Sequence, residues 1–442
     1  MPVKLLKGFR DYLPEEMIAK ERMLQRIRQV FETFGYPPIQ TPALEYSEVL
    51  LGKYGEEGEM LMYRFLDHGD RDICLRYDLT VPLARVMAEH SHRLTLPFRR
   101  YQMAPVWRAE KPAKGRFREF LQCDVDLIGV QSAIADAEMI LIDVAVLQAL
   151  GVTDFQVRVN HRGALRGWTR TLGISDGAQE AAFLRLLDKL PRIGEEKFVG
   201  ALGQEFGLEA SAVEGLLGTT RGSAGARQTH ARMQDELQGN PDGEAALVNL
   251  GEVLDLVEAA GELDRVVIDP SIARGLSYYT GIIYETIIEA LPAFGSVMSG
   301  GRYDELLGMF SKQQIPAVGI SLGVDRLFSA LQELNRISTQ QTPARVMVVN
   351  FGDDGGRREV QLSARLRAAG IPTLLYPVPA KLKKQLQYCQ KMAIPFAVMV
   401  GKDEAESGTT SLKDLHSGEQ RQLRVEELIR ELSAGSEGSS HG

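Results

Sequence analysis

The chain has 442 residues, a formal net charge of -8, and hydrophobic residues at 44% of its positions. This length predicts two or three domains, and the apolar content is sufficient for complete hydrophobic cores. The net negative charge argues against a protein that coats nucleic acid nonspecifically, although a local basic patch remains compatible with binding a phosphate backbone.

The N-terminus and the cysteines indicate the compartment. MPVKLLKGFRDYLPEE contains no apolar run of signal-peptide length, and Asp143 interrupts the most apolar predicted helix, MILIDVAVLQALGV. We therefore expect neither secretion nor a membrane span, and a cytoplasmic protein. The three cysteines lack C-x-x-C spacing and the seven histidines lack metal-ligand spacing, so no metal site is predicted.

Predicted strands and helices alternate through the first part of the chain. Residues 15–34 show the apolar periodicity of a helix that ends at Gly35, and the proline-rich segment after it is extended. Residues 44–150 alternate strands and helices and end in a long helix at about 133–150. Residues 176–262 indicate one helix after another, which predicts an all-α insertion.

Strand-like segments then resume and lead to a second domain. NRISTQQTP is polar and predicts a linker, and the segment after it alternates β and α as a small parallel-sheet domain does. SAGSEGSSHG predicts a disordered tail. The predicted boundaries are 1–175 and 263–334 for the core, 176–262 for the insertion, 335–343 for the linker, 344–430 for the C-terminal domain and 431–442 for the tail.

Two segments of the core predict an antiparallel pair of strands. FRRYQMAPVW and FLQCDVDLIGV alternate in character, and the second places Gln122, Asp124 and Asp126 on one face. Pro112 and Gly115 punctuate the connection, which is too long for a tight turn. Two carboxylates and an amide in register predict a site for a cationic or amphoteric small molecule.

The connection between these strands is strongly basic. WRAEKPAKGRFREF, residues 107–120, contains Arg108, Lys111, Lys114, Arg116 and Arg118. A solvated hairpin tip would explain such charge without a ligand. Beside an acidic strand face, however, a cationic loop suits a substrate that carries both phosphates and an ammonium group.

Neither the P-loop pattern G-x-x-x-x-G-K-[ST] nor the Rossmann pattern G-x-G-x-x-G occurs, so neither kind of loop would hold a nucleotide. Two other glycine-containing segments are the candidate ligand sites. Gly300 and Gly301 are predicted to join a strand to a helix and to allow close backbone approach to a ligand. Arg326 is predicted in the first turn of a helix after a strand that ends near Gly323. The helix dipole disfavours a cation there, so an anionic ligand is indicated, with a nearby carboxylate as the alternative partner.

RGLSYYTG adds a cation and two aromatic residues to the same region. Arg274 would need a negative partner if buried, and Tyr278 and Tyr279 would point to opposite faces of a strand. At least one of the two tyrosines is therefore expected in the core.

These motifs together resemble those of the histidyl-tRNA synthetases. WRAEKPAKGRFREFLQCDVDLIG resembles the second class II motif, RGLSYYTG the histidine-specific signature, and GGRYDELLG with PAVGISLGVDRL the third-motif region. KGFRDYLP, FGYPPIQTPALE, LRYDLTVPLAR and LKKQLQYCQKMAIPFAVMVG resemble the family's opening, its dimer-forming first motif, its ammonium-binding segment and its anticodon-binding domain. The resemblance spans nearly the whole chain.

The resemblance implies an α+β fold and a two-step reaction. The expected core is the class II synthetase antiparallel sheet, with a helical insertion and a C-terminal α/β anticodon-binding domain, and the expected assembly is a homodimer. Histidine and ATP would form histidyl adenylate and pyrophosphate, and the histidyl group would then pass to the 3′ end of tRNA(His). Mg²⁺ should accompany the ATP.

Roles for the cationic residues follow from the resemblance. Arg108 corresponds to the arginine that binds the α-phosphate and the amino acid carboxylate, and Arg274 to the catalytic arginine that stabilises charge on the α-phosphate. Arg116 corresponds to the residue on the outer phosphates, and Arg326 to the residue on the γ-phosphate. Arginine suits these roles because its planar fork bonds two oxygens at once.

The remaining site residues also come from the resemblance. Glu110 and Phe120 belong to the ATP site, with Phe120 under the adenine. Lys111 and Lys114 would meet the acceptor end of the tRNA. The histidine-binding set comprises Asp78, Thr80 and Gln122 around the ammonium and carboxylate, Asp126 and Tyr279 on the imidazole, and Tyr278 along the same pocket.

Two residues depart from the family's pattern. Ser277 stands where the family usually has Asp before the paired tyrosines, which puts a supporting interaction in doubt. Asp126 stands where some branches have Glu, which shortens the reach by one methylene but keeps the charge.

Other functions remain possible on the sequence alone. The regulatory subunit of ATP phosphoribosyltransferase shares this core and is a noncatalytic binding module, but it generally lacks a C-terminal domain like residues 344–430. A synthetase for another amino acid is disfavoured by RGLSYYTG. Lys381, Lys383 and Lys384 could contact tRNA phosphates, or could form an ordinary solvated helix face.

Overall fold

The computed structural model describes residues 3–52, 55–113, 115–220, 225–273, 279–305, 308, 314–337 and 340–437. The chain forms two compact units, one of Met1–Arg10 with Met23–Arg336 and one of Asp11–Arg22 with Ile337–Gly442. Among the described residues, no helix is both long and apolar enough to cross a membrane. The predicted site residues Lys114, Arg274 and Tyr278, together with Ser277, lie outside the described residues.

Strands occur in both units. In chain order they are β1 (Leu44–Tyr46), β2 (Arg64–Leu66), β3 (Asp72–Leu75), β4 (Phe98–Trp107), β5 (Glu119–Ile128), β6 (Phe155–His161), β7 (Val266–Ile268), β8 (Ile282–Ile288), β9 (Ser296–Arg302), β10 (Ala317–Gly323), β11 (Val346–Val348), β12 (Thr373–Leu375), β13 (Phe396–Met399), β14 (Thr410–Asp414) and β15 (Gln420–Leu423).

Helices connect and cover these strands. In chain order they are α1 (Pro14–Thr33), α2 (Ser47–Leu50), α3 (Gly55–Met60), α4 (Thr80–His90), α5 (Ala133–Ala149), α6 (Arg162–Thr171), α7 (Gly177–Ile193), α8 (Glu195–Phe206), α9 (Glu214–Thr220), α10 (Ala226–Glu236), α11 (Pro241–Ala259), α12 (Val324–Glu333), α13 (Arg357–Ala368), α14 (Leu382–Lys391), α15 (Lys402–Ser407) and α16 (Val425–Glu437).

The first unit is built on a seven-stranded sheet in the order β4-β5-β10-β9-β8-β6-β7. Strands β6 and β7 pair in parallel, and the other neighbouring strands pair antiparallel. The antiparallel core predicted from the motifs is thus confirmed. A smaller sheet, β1-β3-β2, lies in the same unit.

Strands β4 and β5 form the predicted hairpin, paired from Phe98↔Ile128 to Trp107↔Glu119. On the apolar face of β5, Cys123 and Val125 are fully buried. Its polar face is buried as well, because Asp124 and Asp126 are only 2% and 3% exposed. Burying carboxylates is costly unless they are paired, so the polar face requires dedicated partners.

Gly300 and Gly301 do not join a strand to a helix, as the sequence predicted; both lie inside β9. A Cβ atom on Gly300 would come within 2.1 Å of the Gly319 carbonyl oxygen, and one on Gly301 within 2.7 Å of the Ile282 carbonyl oxygen. The glycines are therefore required by the close approach of neighbouring strands, which sequence spacing does not reveal.

Helices α7 to α11 occupy the segment predicted as an insertion, and side-chain caps explain where two of them begin. Asp176 accepts hydrogen bonds from the backbone N–H groups of Ala178 and Gln179 at the start of α7. Asn240 caps α11, whose first residue is Pro241. Such caps satisfy N–H groups that have no partner within the helix. These helices belong to the same compact unit as the seven-stranded sheet.

The second unit contains a mixed sheet, β12-β11-β13-β14-β15, where the sequence predicted a parallel one. β11 pairs in parallel with β12 and β13, but β14 and β15 form an antiparallel hairpin. Asp414 closes this hairpin by accepting hydrogen bonds from the N–H groups of His416 and Ser417, and Gly418 adopts a φ of 78°.

Helix α16 continues through residues 431–437, where the sequence predicted the start of a disordered tail. Leu428 and Leu432 lie one helical turn apart and are both buried in the core of this unit. Burial of the second leucine extends the helix past residue 430, although the residues after it are small and polar.

Candidate active site

Two adjoining cavities lie along the seven-stranded sheet. The first, of about 310 Å³, is lined by Asp78, Asp124 and Asp126, and we call it the acidic cavity. The second, of about 210 Å³, is lined by the ends of the β4–β5 hairpin and the start of α12, and we call it the hairpin cavity. They share the following lining residues: Arg108, Gln122, Ser296, Ser299, Ser321 and Arg326.

A fully buried arginine supports the floor of the acidic cavity. Arg100 faces Asp126 in the β4–β5 register, and its Nη2 atom lies 2.5 Å from Asp126 Oδ2. The Tyr303 hydroxyl donates a hydrogen bond to Asp126 Oδ1. Burial raises the pKa of the Asp126 carboxyl, and Arg100 and Tyr303 counteract part of that shift. The two partners therefore hold the carboxylate in one orientation.

Gly319 of β10 makes room for this carboxylate. It pairs with Asp126 across the strands, and a Cβ atom at Gly319 would lie 2.0 Å from Asp126 Oδ1. A larger residue would displace the carboxylate, so the local sequence of β10 helps to place Asp126.

Asp124, Ser321 and Gln122 form a hydrogen-bonded row next to Asp126. The Ser321 hydroxyl donates to Asp124 Oδ1 at 2.5 Å, and Gln122 Nε2 donates to Ser321 Oγ at 2.9 Å. Burial raises the pKa of Asp124 to about 7, and the Arg100 guanidinium limits the rise.

The rim of the acidic cavity is formed by the start of α4 and by Tyr279. Asp78 Oδ1 accepts hydrogen bonds from the N–H groups of Thr80 and Val81 at 3.2 and 3.1 Å, which fixes the carboxylate at the helix N-terminus. Burial raises the pKa of the Tyr279 hydroxyl, and the nearby carboxylates of Asp124 and Asp126 raise it further. Tyr279 is therefore a neutral hydrogen-bonding group at physiological pH.

Arg108 stands between the two cavities, stacked on two aromatic rings. Its guanidinium carbon lies 4.5 Å from the centre of the Tyr77 ring and 5.2 Å from that of Phe120. Its Nε atom donates to the Tyr77 carbonyl oxygen at 3.1 Å. These contacts orient a planar cation whose fork can bind two oxygens of an anionic ligand.

The loop of the hairpin is more open. Arg116 Nη1 lies 3.7 Å from Glu110 Oε2, and the Arg116 side chain is 54% exposed. Arg118 holds the base of the loop by donating to the carbonyl oxygens of Glu110 and Lys7. Gly8 packs against it so closely that a Cβ atom there would lie 2.8 Å from the Arg118 side chain.

Arg326 lies in the first turn of α12, where the sequence predicted it. It donates a hydrogen bond to the Ser296 carbonyl oxygen at 2.5 Å. The preceding Asp325 is buried and accepts a hydrogen bond from the Leu121 N–H group at 2.8 Å, which ties α12 to β5. The helix dipole at this N-terminus favours the negative charge of Asp325 and disfavours the positive charge of Arg326.

The structure brings the described site residues together in two groups. The five predicted for ATP, Arg108, Glu110, Arg116, Phe120 and Arg326, line the hairpin cavity. The five described residues predicted for histidine, Asp78, Thr80, Gln122, Asp126 and Tyr279, line the acidic cavity. Lys111 is exposed on the hairpin loop and lines neither cavity.

The sequence placed Asp124 on the polar face of a predicted ligand site without a specific role, and it did not single out Ser321, Arg100 or Tyr303. Asp124 lies on the polar face of β5 between Gln122 and Asp126, and this position could have indicated that it belongs to the same site. Arg100 contacts Asp126 from the neighbouring strand β4, and Tyr303 contacts it from the position after the end of β9, so only the tertiary arrangement of the strands reveals them.

The chain is similar to known proteins over nearly its whole length. A family model for histidyl-tRNA synthetase matches residues 8–327, and a model for the anticodon binding domain matches residues 345–434. A histidine–tRNA ligase from Rhodopirellula baltica is 43% identical over 423 residues, which cover 95% of this chain and 95% of that protein. The crystal structure of histidyl-tRNA synthetase from Nostoc sp. PCC 7120 matches with a TM-score of 0.90 at 35% identity, over 98% of this chain and 99% of that one.

A further similar structure bears on the noncatalytic alternative. A Bacillus halodurans protein described as an ATP phosphoribosyltransferase regulatory subunit/histidyl-tRNA synthetase matches with a TM-score of 0.73 at 25% identity. It covers 87% of this chain, and this chain covers 96% of it. The Nostoc structure thus matches more of the chain, at higher identity.

Proposed function

The chain belongs to the histidyl-tRNA synthetase family, and we propose that its acidic and hairpin cavities are the subsites for histidine and ATP. Its activity is that of a histidine–tRNA ligase, which the comparisons favour over the regulatory subunit. The observation that carries the proposal is the continuity of the two cavities through Arg108 and Gln122. A carboxylate-lined end and an arginine-lined end meet where a bond between the two substrates would form.

The reaction proceeds in two displacements. A carboxylate oxygen of histidine attacks the α-phosphorus of ATP, the bond to the β-phosphate oxygen breaks, and pyrophosphate leaves. A hydroxyl of the terminal ribose of tRNA(His) then attacks the carbonyl carbon of histidyl adenylate, and AMP leaves. Each step develops negative charge on oxygens, which preorganised cations stabilise.

The hairpin cavity would bind ATP. Phe120 supplies a ring for the adenine, Arg108 faces the α-phosphate and the histidine carboxylate, and Arg116 and Arg326 face the outer phosphates. Glu110 would hold Arg116 in reach through their ion pair. Among the described residues, no group of three His, Cys, Asp or Glu side chains could hold a metal ion. Mg²⁺ would be bound mainly by the phosphate oxygens of ATP.

The acidic cavity would bind histidine. Asp78, Thr80 and Gln122 surround the position of the α-ammonium group, and Asp126 and Tyr279 read the imidazole. Tyr278 along the same pocket and Arg274 as a catalytic residue remain predictions from the sequence.

The test is histidine-dependent exchange of labelled pyrophosphate into ATP by the full chain, with each of the other amino acids supplied in turn. We expect exchange with histidine alone. Exchange that another amino acid supports equally well, or that Asp126→Asn and Arg108→Ala leave unchanged, would contradict the assignment of the two cavities.

The C-terminal unit would bind the anticodon of tRNA(His), and Lys111 with Lys114 would meet the acceptor end. Helix α14 is anchored by Gln385, whose Nε2 donates to the carbonyl oxygens of Asn350 and Ala380 at 2.7 Å. The anchoring leaves Lys381, Lys383 and Lys384 exposed beside it. Lysines in such a position can neutralise phosphates and carry no base information.

We expect the triple substitution of Lys381, Lys383 and Lys384 by Ala to raise the KM for tRNA(His) and to leave pyrophosphate exchange unchanged. The matched control is Lys402→Ala, an exposed lysine at the start of α15 in the same unit. An unchanged KM for tRNA would assign these lysines to an ordinary solvated face.

The β1-β3-β2 sheet would contribute to a homodimer. Tyr46 and Phe65 face the same residue of β3, and both are about half exposed, as is Leu44. An exposed apolar group of this kind is typical of an interface. Tyr46→Asp with Phe65→Asp should shift sedimentation toward the monomer. Val248→Asp, which changes an isolated exposed apolar residue on α11, should not.

We place the enzyme in the cytoplasm. The support is that Cys74, Cys123 and Cys389 are buried free thiols, as expected in a reducing compartment. Cell fractionation tests this location.

A further inference from the structure

We propose that Asp124 and Ser321 act as positioning residues for the side chain of Gln122. They orient its amide so that the side-chain oxygen, Oε1, accepts a hydrogen bond from the α-ammonium group of histidine. The proposal rests on the proposed function, since it requires histidine in the acidic cavity. It adds two residues to the recognition machinery, neither of which the motifs had assigned.

The three side chains form a directed row across two strands. Asp124 and Gln122 lie two residues apart on the same face of β5, and Ser321 of β10 pairs with Asp124 in the antiparallel register. The Ser321 hydroxyl donates to Asp124 Oδ1 at 2.5 Å, and its oxygen accepts from Gln122 Nε2 at 2.9 Å. All three residues line the acidic cavity.

The direction of this row determines which end of the Gln122 amide contacts Ser321. A carboxylate can only accept, so Ser321 must give its single proton to Asp124. Its oxygen is then left as an acceptor, which selects the amide nitrogen of Gln122 over the oxygen. The usual ambiguity between the two ends of a glutamine amide is thereby removed by chemistry.

The other end of the amide is available for a ligand. Gln122 Oε1 is buried and has no hydrogen-bond partner among the described residues, and Gln122 is 9% exposed. Leaving a buried acceptor unpaired is costly, and a bound cation with N–H groups would pair it. The α-ammonium group of histidine is such a donor. A reversed amide would instead present N–H groups to the ammonium and repel it.

The charge of Asp124 controls the direction of the row. Asp124 faces Arg100 from β4, Asp126 from its own strand, Asp78 from the start of α4, and Tyr279. Burial raises its pKa to about 7, with Arg100 lowering it and the two carboxylates raising it. Above that pH the carboxylate accepts from Ser321. Below it the protonated carboxyl can donate to Ser321, and the row can reverse.

The experiment measures equilibrium binding of two ligands that differ only in the ammonium group. Histidine and 3-(imidazol-4-yl)propanoate are titrated into the full-length wild type, Ser321→Ala, Asp124→Asn and Ser321→Thr. The matched control is Ser329→Ala, because the Ser329 hydroxyl donates to a backbone carbonyl oxygen within α12 and lines neither cavity.

In Ser321→Ala and Asp124→Asn we expect the preference for histidine over the propanoate to fall by roughly tenfold to a hundredfold, the range for a hydrogen bond to a charged group. Binding of the propanoate itself should change little. Ser321→Thr, which keeps the hydroxyl, should restore the preference, and Ser329→Ala should retain it. In pyrophosphate exchange the KM for histidine should rise while kcat is nearly unchanged.

A pH series separates positioning from a purely structural effect. Between about pH 8 and about pH 6 the wild-type preference should fall, because Asp124 becomes protonated. In Asp124→Asn the preference should be lower than in the wild type at pH 8, and the two proteins should converge as the pH falls to about 6. The α-ammonium group lowers the imidazole pKa of histidine relative to that of the propanoate, so the wild-type preference is divided by the Asp124→Asn preference at each pH, and the titration of the ligands themselves then cancels.

The possible failures are distinguishable. A preference that stays within about twofold of wild type in both Ser321→Ala and Asp124→Asn would overturn the proposal, as would equal losses for the two ligands. Either result would leave the acidic cavity as the histidine subsite. Wild type that binds neither ligand, or that lacks histidine-dependent exchange, would instead overturn the proposed function.

Discussion

The acidic cavity and the hairpin loop adjoin each other, yet their charged residues are held in opposite ways. Asp126 is 3% exposed and is held by Arg100 and Tyr303, which are themselves buried. Arg116 is more than half exposed, and its ion pair with Glu110 spans 3.7 Å. One end of the site is therefore preorganised within the sheet, and the other depends on a solvated loop.

This difference matches the chemistry of the two proposed ligands. An imidazole must be distinguished from other side chains, and discrimination is strongest when the wrong ligand leaves buried polar groups unpaired. Triphosphate oxygens are bound through charge, which tolerates an open and adaptable loop. Arg108 lies between the two, half-buried and stacked on Tyr77 and Phe120.

The largest effect is expected where the two regions meet. Arg108→Ala should slow adenylate formation in single turnovers by about 100-fold to 1000-fold, the usual cost of removing one preorganised donor. Arg108→Lys should recover only part of the rate, because lysine keeps the charge but loses the fork and the ring stacking. A rate for the alanine variant within about fivefold of wild type would contradict a role at the reacting phosphate.

Removing the buried support should affect stability as well as binding. Arg100→Leu leaves Asp124 and Asp126 buried without their cation, which should lower the free energy of unfolding by about 3 kcal/mol. Urea unfolding followed by tryptophan fluorescence reports on the first unit, because Trp107 and Trp168 both belong to it.

The pH dependence of the lost unfolding free energy tests whether the effect of Arg100→Leu is electrostatic. Without Arg100 the folded-state pKa values of both carboxyls rise further above their unfolded values. A raised carboxyl pKa costs no stability at low pH, where the group is protonated in both states, and costs more as pH rises. The loss should therefore grow from about pH 4 to about pH 8. A loss that is equal across this range would assign Arg100 to packing alone.

Asp126→Asn addresses recognition, and it is milder than Arg100→Leu because Asp124 remains as a counter-charge for Arg100. It should raise the KM for histidine by about tenfold to a hundredfold and leave the KM for ATP nearly unchanged, because the imidazole loses a charged acceptor. Asp143→Asn is a matched control, since Asp143 is also fully buried in the first unit but lines neither cavity and bonds to Thr286. Equal losses for both substrates in Asp126→Asn would indicate a damaged fold.

Local pattern was enough to predict the hairpin and the polar face of β5. Alternation identifies β4 and β5, and the fold class followed from ordered motifs. The alternation of residues could not predict contacts between strands that are distant in the sequence. Arg100 resembles any arginine in an alternating strand until the register places it against Asp126. Gly300 suggested a loop because its need for close packing arises from β10.

The same limit applies to the second unit. The three strands that the sequence predicted, β11 to β13, pair in parallel, but the sequence did not predict β14 and β15, where a turn closed by Asp414 reverses the chain. The predicted tail began too early because Leu432 is buried by residues far along the sequence. In both cases a tertiary contact overrides local composition.

The smallest effect is expected at Arg116, on the exposed hairpin loop. Arg116→Ala should raise the KM for ATP by at most about fivefold, because exposed charge pairs contribute little. The change should largely disappear at about 1 M salt, where the screening length is a few ångströms. Urea unfolding should be unaltered, since the ion pair of Arg116 with Glu110 is solvated. A KM increase well above tenfold that persists at high salt would mean that the loop closes over the phosphates and excludes water. The hairpin would then resemble the acidic cavity, with both ends of the site buried when the substrates are bound.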